Sequence, residues 1–141
     1  MPNGTTNVCL IGNKFMGRAH ANAYLKVNKF FTELPSQAVM HTVVGRNAEE
    51  NNTFAKRWGF AHTSNDWKAA IKNPEIDLVD VTSPNNAHAE MAIAALEAGK
   101  HVACEKPLAG SLDDARAMRD AARKAKKSKT SVWYVYRRCP A

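Results

Sequence analysis

The chain has 141 residues and a net charge of +7, from 20 lysines and arginines against 13 aspartates and glutamates. With 45% hydrophobic and 23% charged residues it has the composition of one globular domain, which excludes a disordered chain or a collagen-like repeat. No apolar run reaches the ~20 residues of a membrane helix, and Met1 to Asn7 is polar with no signal-peptide core, so a cytoplasmic protein with no membrane partner is expected.

Short apolar runs alternate with longer helical stretches along the chain. Val8–Ile11 reads as a strand ending at Gly12, and Met16 to about Val27 as a helix. Val39–Val44 is a second strand, ending at Gly45. Asn47 and Glu50 have the spacing of a capping box, and the helix they open runs to Trp58 before Gly59. A short strand is predicted at Phe60–Thr63 and a helical turn at Trp67–Ile71. Ile76–Val81 is the clearest strand, with Pro84 at its exit, and a helix from Ala87 to Ala98 stops at Gly99. His101–Cys104 is the fifth strand. Ser111 opens a helix with Asp113 and Asp114 in its first turn and lysines at its end, which complements the helix dipole. Ser131–Tyr136, aromatic and β-branched, reads as the last strand.

This alternation predicts a single α/β domain, a parallel sheet covered on both faces. Ligands in such sheets bind outside the carboxyl ends of the strands, so the residues just after each strand carry the functional information. After the first strand, Gly12-Asn13-Lys14-Phe15-Met16-Gly17 keeps the outer glycines of a dinucleotide fingerprint. It fits a pyrophosphate at a helix N-terminus, and a plain glycine turn as well. After the second strand, Gly45-Arg46 offers a guanidinium where a carboxylate would hold a ribose hydroxyl. That favours NADP over NAD, because arginine pairs with phosphate; a solvated loop arginine is the alternative.

Thr82, Ser83, Pro84 and Asn85 follow the fourth strand and suit either a ribose and amide lining or a helix cap. Asp80, within that strand, requires a partner that the sequence does not name. After the fifth strand, Pro107 restricts Lys106 to an extended backbone, in place to hold a substrate hydroxyl or move its proton. Cys9, Cys104 and Cys139 are odd in number and far apart, so no disulfide framework is expected. The five histidines show no metal-ligand spacing with them. The basic run Arg116, Arg119, Arg123, Lys124, Lys126, Lys127 and Lys129 lacks interleaved aromatics, so nucleic acid is not an expected partner.

Taken together, Ile11-Gly12, Phe15-Met16-Gly17, His20, Asp80-Val81-Thr82, Pro84-Asn85, His88, Ala94 to Val102 and Glu105-Lys106-Pro107-Leu108-Ala109 resemble the Gfo/Idh/MocA family of oxidoreductases. Tyr136-Arg137-Arg138 and Pro140 match the stretch leading into that family's second domain. The resemblance implies a Rossmann-type doubly wound sheet over residues 1–136. Residues 137–141 would begin the connection to a C-terminal α+β domain that is absent from this sequence.

It further implies NAD or NADP as cofactor, a sugar, cyclitol or related polyol as substrate, and a homo-oligomer. Lys106 would be the catalytic lysine, joined to Pro107 by a cis bond. Glu105, Pro84, Asn85 and His88 would lie by the cofactor, and Tyr136 and Arg137 would border the substrate cleft. Lys14 departs from the pattern by replacing the middle glycine, and Val135 stands where asparagine is frequent. Without the second domain, residues 1–141 are expected to bind cofactor but not to turn over substrate. The alternative is a non-catalytic NADP(H)-binding sensor or interaction module.

Overall fold

In a computed structural model, which describes residues 4–139, six parallel strands lie in the order β3-β2-β1-β4-β5-β6. They are β1 Thr5–Ile11, β2 Gln37–Val44, β3 His62–Ser64, β4 Leu78–Val81, β5 His101–Cys104 and β6 Thr130–Val132. The connecting helices are α1 Phe15–Phe30, α2 Ala48–Trp58, α3 Trp67–Lys72, α4 His88–Glu97 and α5 Leu112–Lys124. Strand order reverses between β1, which pairs with β2, and β4, which pairs with β1 on its other edge. That reversal opens a crevice at the carboxyl ends of β1 and β4.

Side-chain alternation along the strands divides the core. Leu10 and Val43 point to one face, where Ala21 of α1 and Phe54 and Ala55 of α2 cover them. Cys9, Ile11, Val79 and Val81 point to the other, beneath Ile71 of α3, Ala92 and Leu96 of α4 and Met118 of α5. Burying each large aliphatic side chain contributes about 1.5–3 kcal/mol, so the sheet's two faces carry most of the stability. The same alternation places Asp80, between Val79 and Val81, on the face of α1.

The N-caps read from the sequence are formed, but the capping box at Asn47 is one-sided, because the Glu50 carboxylate pairs with Lys14 instead of reaching back. The Asn47 side chain accepts from the Glu50 N–H at 3.0 Å, and Ser111 accepts from the Asp114 N–H at 3.1 Å. Asp66, which sequence reasoning passed over, caps α3 by accepting from Lys68 and Ala69. The third strand starts two residues later and ends one residue later than predicted, at His62–Ser64. The last strand is shorter than predicted. It ends at Val132, and Val135–Arg138 forms a 3-10 turn instead of continuing it. Its aromatic residues have β propensity but no further strand to pair with; Tyr134, Val135 and Tyr136 are exposed. Met1–Asn3, part of the polar N-terminal stretch, lie outside the described residues. So do Pro140 and Ala141, the end of the 137–141 connection. Among the described residues, no helix is long and apolar enough to cross a membrane.

Candidate active site

The turn after β1 is built around two glycines. Gly12 has φ +119°, a conformation that favours glycine, and a Cβ there would lie 2.5 Å from Thr82 Oγ1. A Cβ on Gly17 would strike the carbonyl oxygen of Gly12. The turn is pinned: Gly12 N–H donates to Val44 O at 2.8 Å, and the Thr82 hydroxyl donates to Ile11 O at 3.0 Å. The backbone therefore runs bare and close under the start of α1. Whereas α2, α3 and α5 are capped by side chains, α1 has neither a side-chain cap nor an acid in its first turn. Its N–H groups are left for an anion, as a pyrophosphate site requires.

Lys14, at the start of α1, pairs with Glu50 of α2 at 2.6 Å. Both groups are exposed, so the pair is worth under about 1 kcal/mol. Phe15 is exposed beside it and Met16 half-buried. Gly45 closes the far side, where a Cβ would meet Asn13 and Asn51. Asn51, fully buried, donates to Gly45 O at 2.8 Å and Ser64 O at 2.9 Å and accepts from Asn13 at 2.8 Å. Arg46 extends exposed from this end.

The turns after β4 and β5 are fastened to each other by His88. Its ring is fully buried, with Nδ1 3.0 Å from Pro107 O and Nε2 2.9 Å from Ser83 O. Ser83 Oγ is buried without a hydrogen-bond partner. Pro84, Asn85, Lys106 and Pro107 are exposed around the crevice. The Lys106–Pro107 bond is cis, as the resemblance implied. Tyr136 and Arg137 lie exposed in the 3-10 turn after β6. The bare glycine turn, the uncapped α1 and the orphaned Ser83 hydroxyl together fit a dinucleotide laid across the carboxyl ends of the strands.

Beneath the Lys106 turn lies a buried polar cluster. Asp80 accepts from Tyr24 Oη at 2.9 Å, from Trp133 Nε1 at 2.9 Å and from His20 Nδ1 at 2.8 Å. His20 Nε2 lies 3.1 Å from Glu105 Oε1, and Glu105 Oε2 accepts the Lys106 N–H at 2.9 Å. Burial disfavours charge on His20, but the hydrogen bonds and charges of Asp80 and Glu105 outweigh it and hold its pKa above the ordinary 6.5. Burial, reinforced by the Asp80 charge, pushes the thiols of Cys9 and Cys104 up to about 12. Both therefore stay protonated at neutral pH, which makes them poor nucleophiles. Among the described residues no group of three or more metal-ligating side chains comes together.

A pH dependence follows from His20. Its folded-state pKa is raised, so its stabilisation is complete below about pH 6.5 and is lost as pH rises through the folded value. Urea midpoints should therefore decline with rising pH in that window, and His20→Gln should flatten the decline. An unchanged slope in the variant would contradict this.

His20, Tyr24, Asn13 and Asn51 had no role assigned from the sequence, and Trp133 was read only as part of the last strand and its edge. A signal was present for three of them. His20 and Tyr24 continue the buried stripe of Gly17 and Ala21 at helical spacing, and Asn51 shares a stripe with Phe54 and Ala55. Polar residues on such stripes are buried and need partners.

The family model described as "Oxidoreductase family, NAD-binding Rossmann fold" (Gfo/Idh/MocA) matches residues 6–134. Levoglucosan dehydrogenase of Pseudarthrobacter phenanthrenivorans is 45% identical over 135 residues, covering 96% of this chain and 34% of that protein. A solved levoglucosan dehydrogenase in complex with NADH and levoglucosan superposes with TM-score 0.91 at 42% identity, over 95% of this chain and 36% of the other. An NAD-binding oxidoreductase from Klebsiella pneumoniae gives TM-score 0.93 at 39% identity, over 97% and 36%. The chain thus spans about a third of the length of these relatives. Its pinned glycine turn, its strand order and the matched span agree: the chain belongs to the Gfo/Idh/MocA oxidoreductases and comprises their NAD-binding Rossmann domain.

Proposed function

We propose that residues 1–136 are the cofactor-binding domain of an NAD(P)-dependent oxidoreductase acting on a sugar, cyclitol or related polyol, with 137–141 leading toward a substrate domain. The observation that carries this reading is the juxtaposition of the glycine cradle and the Lys106 turn across one crevice, each fixed by hydrogen bonds to the strands. A bound nicotinamide would supply the chemistry of accepting hydride from a carbinol carbon, or of returning it to the corresponding carbonyl carbon. Lys106 holds the hydroxyl of that carbon and takes or returns its proton, a contribution of ~10²–10⁴-fold. Gly12, Gly17 and the N-terminus of α1 hold the pyrophosphate. Thr82, Ser83, Pro84 and Asn85 line the nicotinamide half, while Glu105 and His88 fix the turns that carry it. Tyr136 and Arg137 border the substrate. Positioning of the substrate carbon is worth roughly 7–11 kcal/mol and comes from outside these residues, so the 141-residue chain should bind cofactor without oxidising polyols. Sustained turnover by this chain alone would overturn that division of labour.

Arg46, exposed beside Gly45 with no carboxylate in that turn, supports a preference for the 2′-phosphate of NADP(H). The levoglucosan dehydrogenase relatives were solved with NADH, so the two cofactors must be compared directly. Calorimetric titration of each into the chain and into Arg46→Ala is the test. NADPH affinity should fall about ten-fold in the variant, the low end for a charge-assisted contact, with NADH little changed. Equal affinities for both in the unaltered chain would remove the preference. The chain is also proposed to self-associate. Of Trp133, Tyr134 and Val135, which follow β6, Tyr134 and Val135 are exposed and give the chain an apolar patch for self-association, to be read by sedimentation across the micromolar range.

A further inference from the structure

Glu105 and Asp80 are both buried carboxylates, and one imidazole stands between them. Asp80 is supplied by three donors, from Tyr24, Trp133 and His20. Glu105 depends on His20 far more. Apart from His20, its side chain is paired among the described residues only with the N–H of its own neighbour, Lys106. A neutral imidazole carries one N–H, so only the imidazolium donates to both carboxylates at once. We propose that His20 is a positioning residue: in its charged form it clamps Glu105 against Asp80 and thereby fixes the backbone at Lys106. This rests on the reading of Lys106 as the acid–base group.

The titratable groups facing His20 are few. They are Asp80 from β4, Glu105 from the end of β5 and Tyr24 from α1 itself, whereas the protonated thiols of Cys9 and Cys104 lie on the opposite face of the sheet. Trp133 packs edge-on against the ring at 5.3 Å and does not titrate. Loss of the His20 proton would leave one of the two carboxylates facing a ring lone pair. The remaining proton stays on the shorter contact, Nδ1 to Asp80 at 2.8 Å against Nε2 to Glu105 at 3.1 Å, so the contact that gives way is the one to Glu105.

Nuclear magnetic resonance on the isotopically labelled chain tests this. At neutral pH both ring nitrogens of His20 should carry protons. The Lys106 amide resonance should move when that proton is lost, by titration or in His20→Gln, several-fold more than the amide of Gly45 across the cradle. Glu105→Gln should uncouple the Lys106 amide from His20. A singly protonated ring at neutral pH, or a Lys106 amide that responds no more than Gly45 in either case, would overturn the proposal. The titration of the unaltered chain needs no variant to fold. Neither readout uses turnover, so a Lys106→Ala enzyme that stayed active would refute the acid–base reading while leaving this coupling intact.

Discussion

Gly17→Ala is expected to lower the melting temperature by roughly 10 °C and to abolish measurable NADH binding. The added methyl would collide with the Gly12 carbonyl, and that carbonyl cannot step aside. Gly12 N–H is bonded to Val44 O at 2.8 Å, and Thr82 Oγ1 lies 3.2 Å from Gly12 O. Either α1 lifts off β1 or the turn opens, and both deform the surface on which a pyrophosphate would sit. Overpacking against backbone costs about 3 kcal/mol, the upper part of the usual range, and a domain of this size loses about 3–4 °C per kcal/mol. Gly110→Ala is the control, since a Cβ there meets nothing closer than 3.8 Å. Its melt should match the unaltered chain within a degree or two. Indistinguishable melts for both variants would show that the turn is more compliant than its hydrogen bonds indicate.

Asp80→Ala should be the other severe substitution, costing about 3–5 kcal/mol in chemical denaturation. It removes the acceptor of the Tyr24, His20 and Trp133 donors and leaves them buried without it. Native domains hold only about 5–15 kcal/mol in total, so the variant would be marginal at room temperature. Asp80→Asn keeps the shape and one acceptor oxygen but not the charge, and should cost roughly half as much. Trp133 fluorescence should change in both, because its indole N–H donates to Asp80 at 2.9 Å. Equal stability of the alanine variant and the unaltered chain would mean that the cluster contributes nothing net.

How much of this was legible depended on distance along the chain. Strands β1, β2, β4 and β5 were read from local apolar runs, because each is buried on both faces and flanked by a glycine or proline. The Asn47 and Ser111 caps were legible because donor and acceptor lie three residues apart. The glycine turn was legible for the same reason. The partners of Asp80 were not. His20 and Tyr24 lie about 60 residues away, and only the β4 alternation against the α1 stripe brings them together. The last strand misled because Trp133 to Tyr136 has strand-like composition, whereas its indole turns in to Asp80 and the chain then coils into a 3-10 turn.

The split of the core between two faces has a consequence for synthesis. Leu10, Ala21, Val43, Phe54, Ala55 and Phe60 all belong to the first sixty residues, so the α1–α2 side can close while the rest of the chain is still on the ribosome. The opposite side waits for α5 and Met118. In that interval the edge of β1 from Val8 to Ile11, later taken by Leu78–Val81, stands without its partner. A translational pause after Phe60 has emerged from the ribosome and before Leu78–Val81 does would expose an apolar parallel edge to neighbouring nascent chains, and slow codons that hold synthesis in that interval should raise the insoluble fraction.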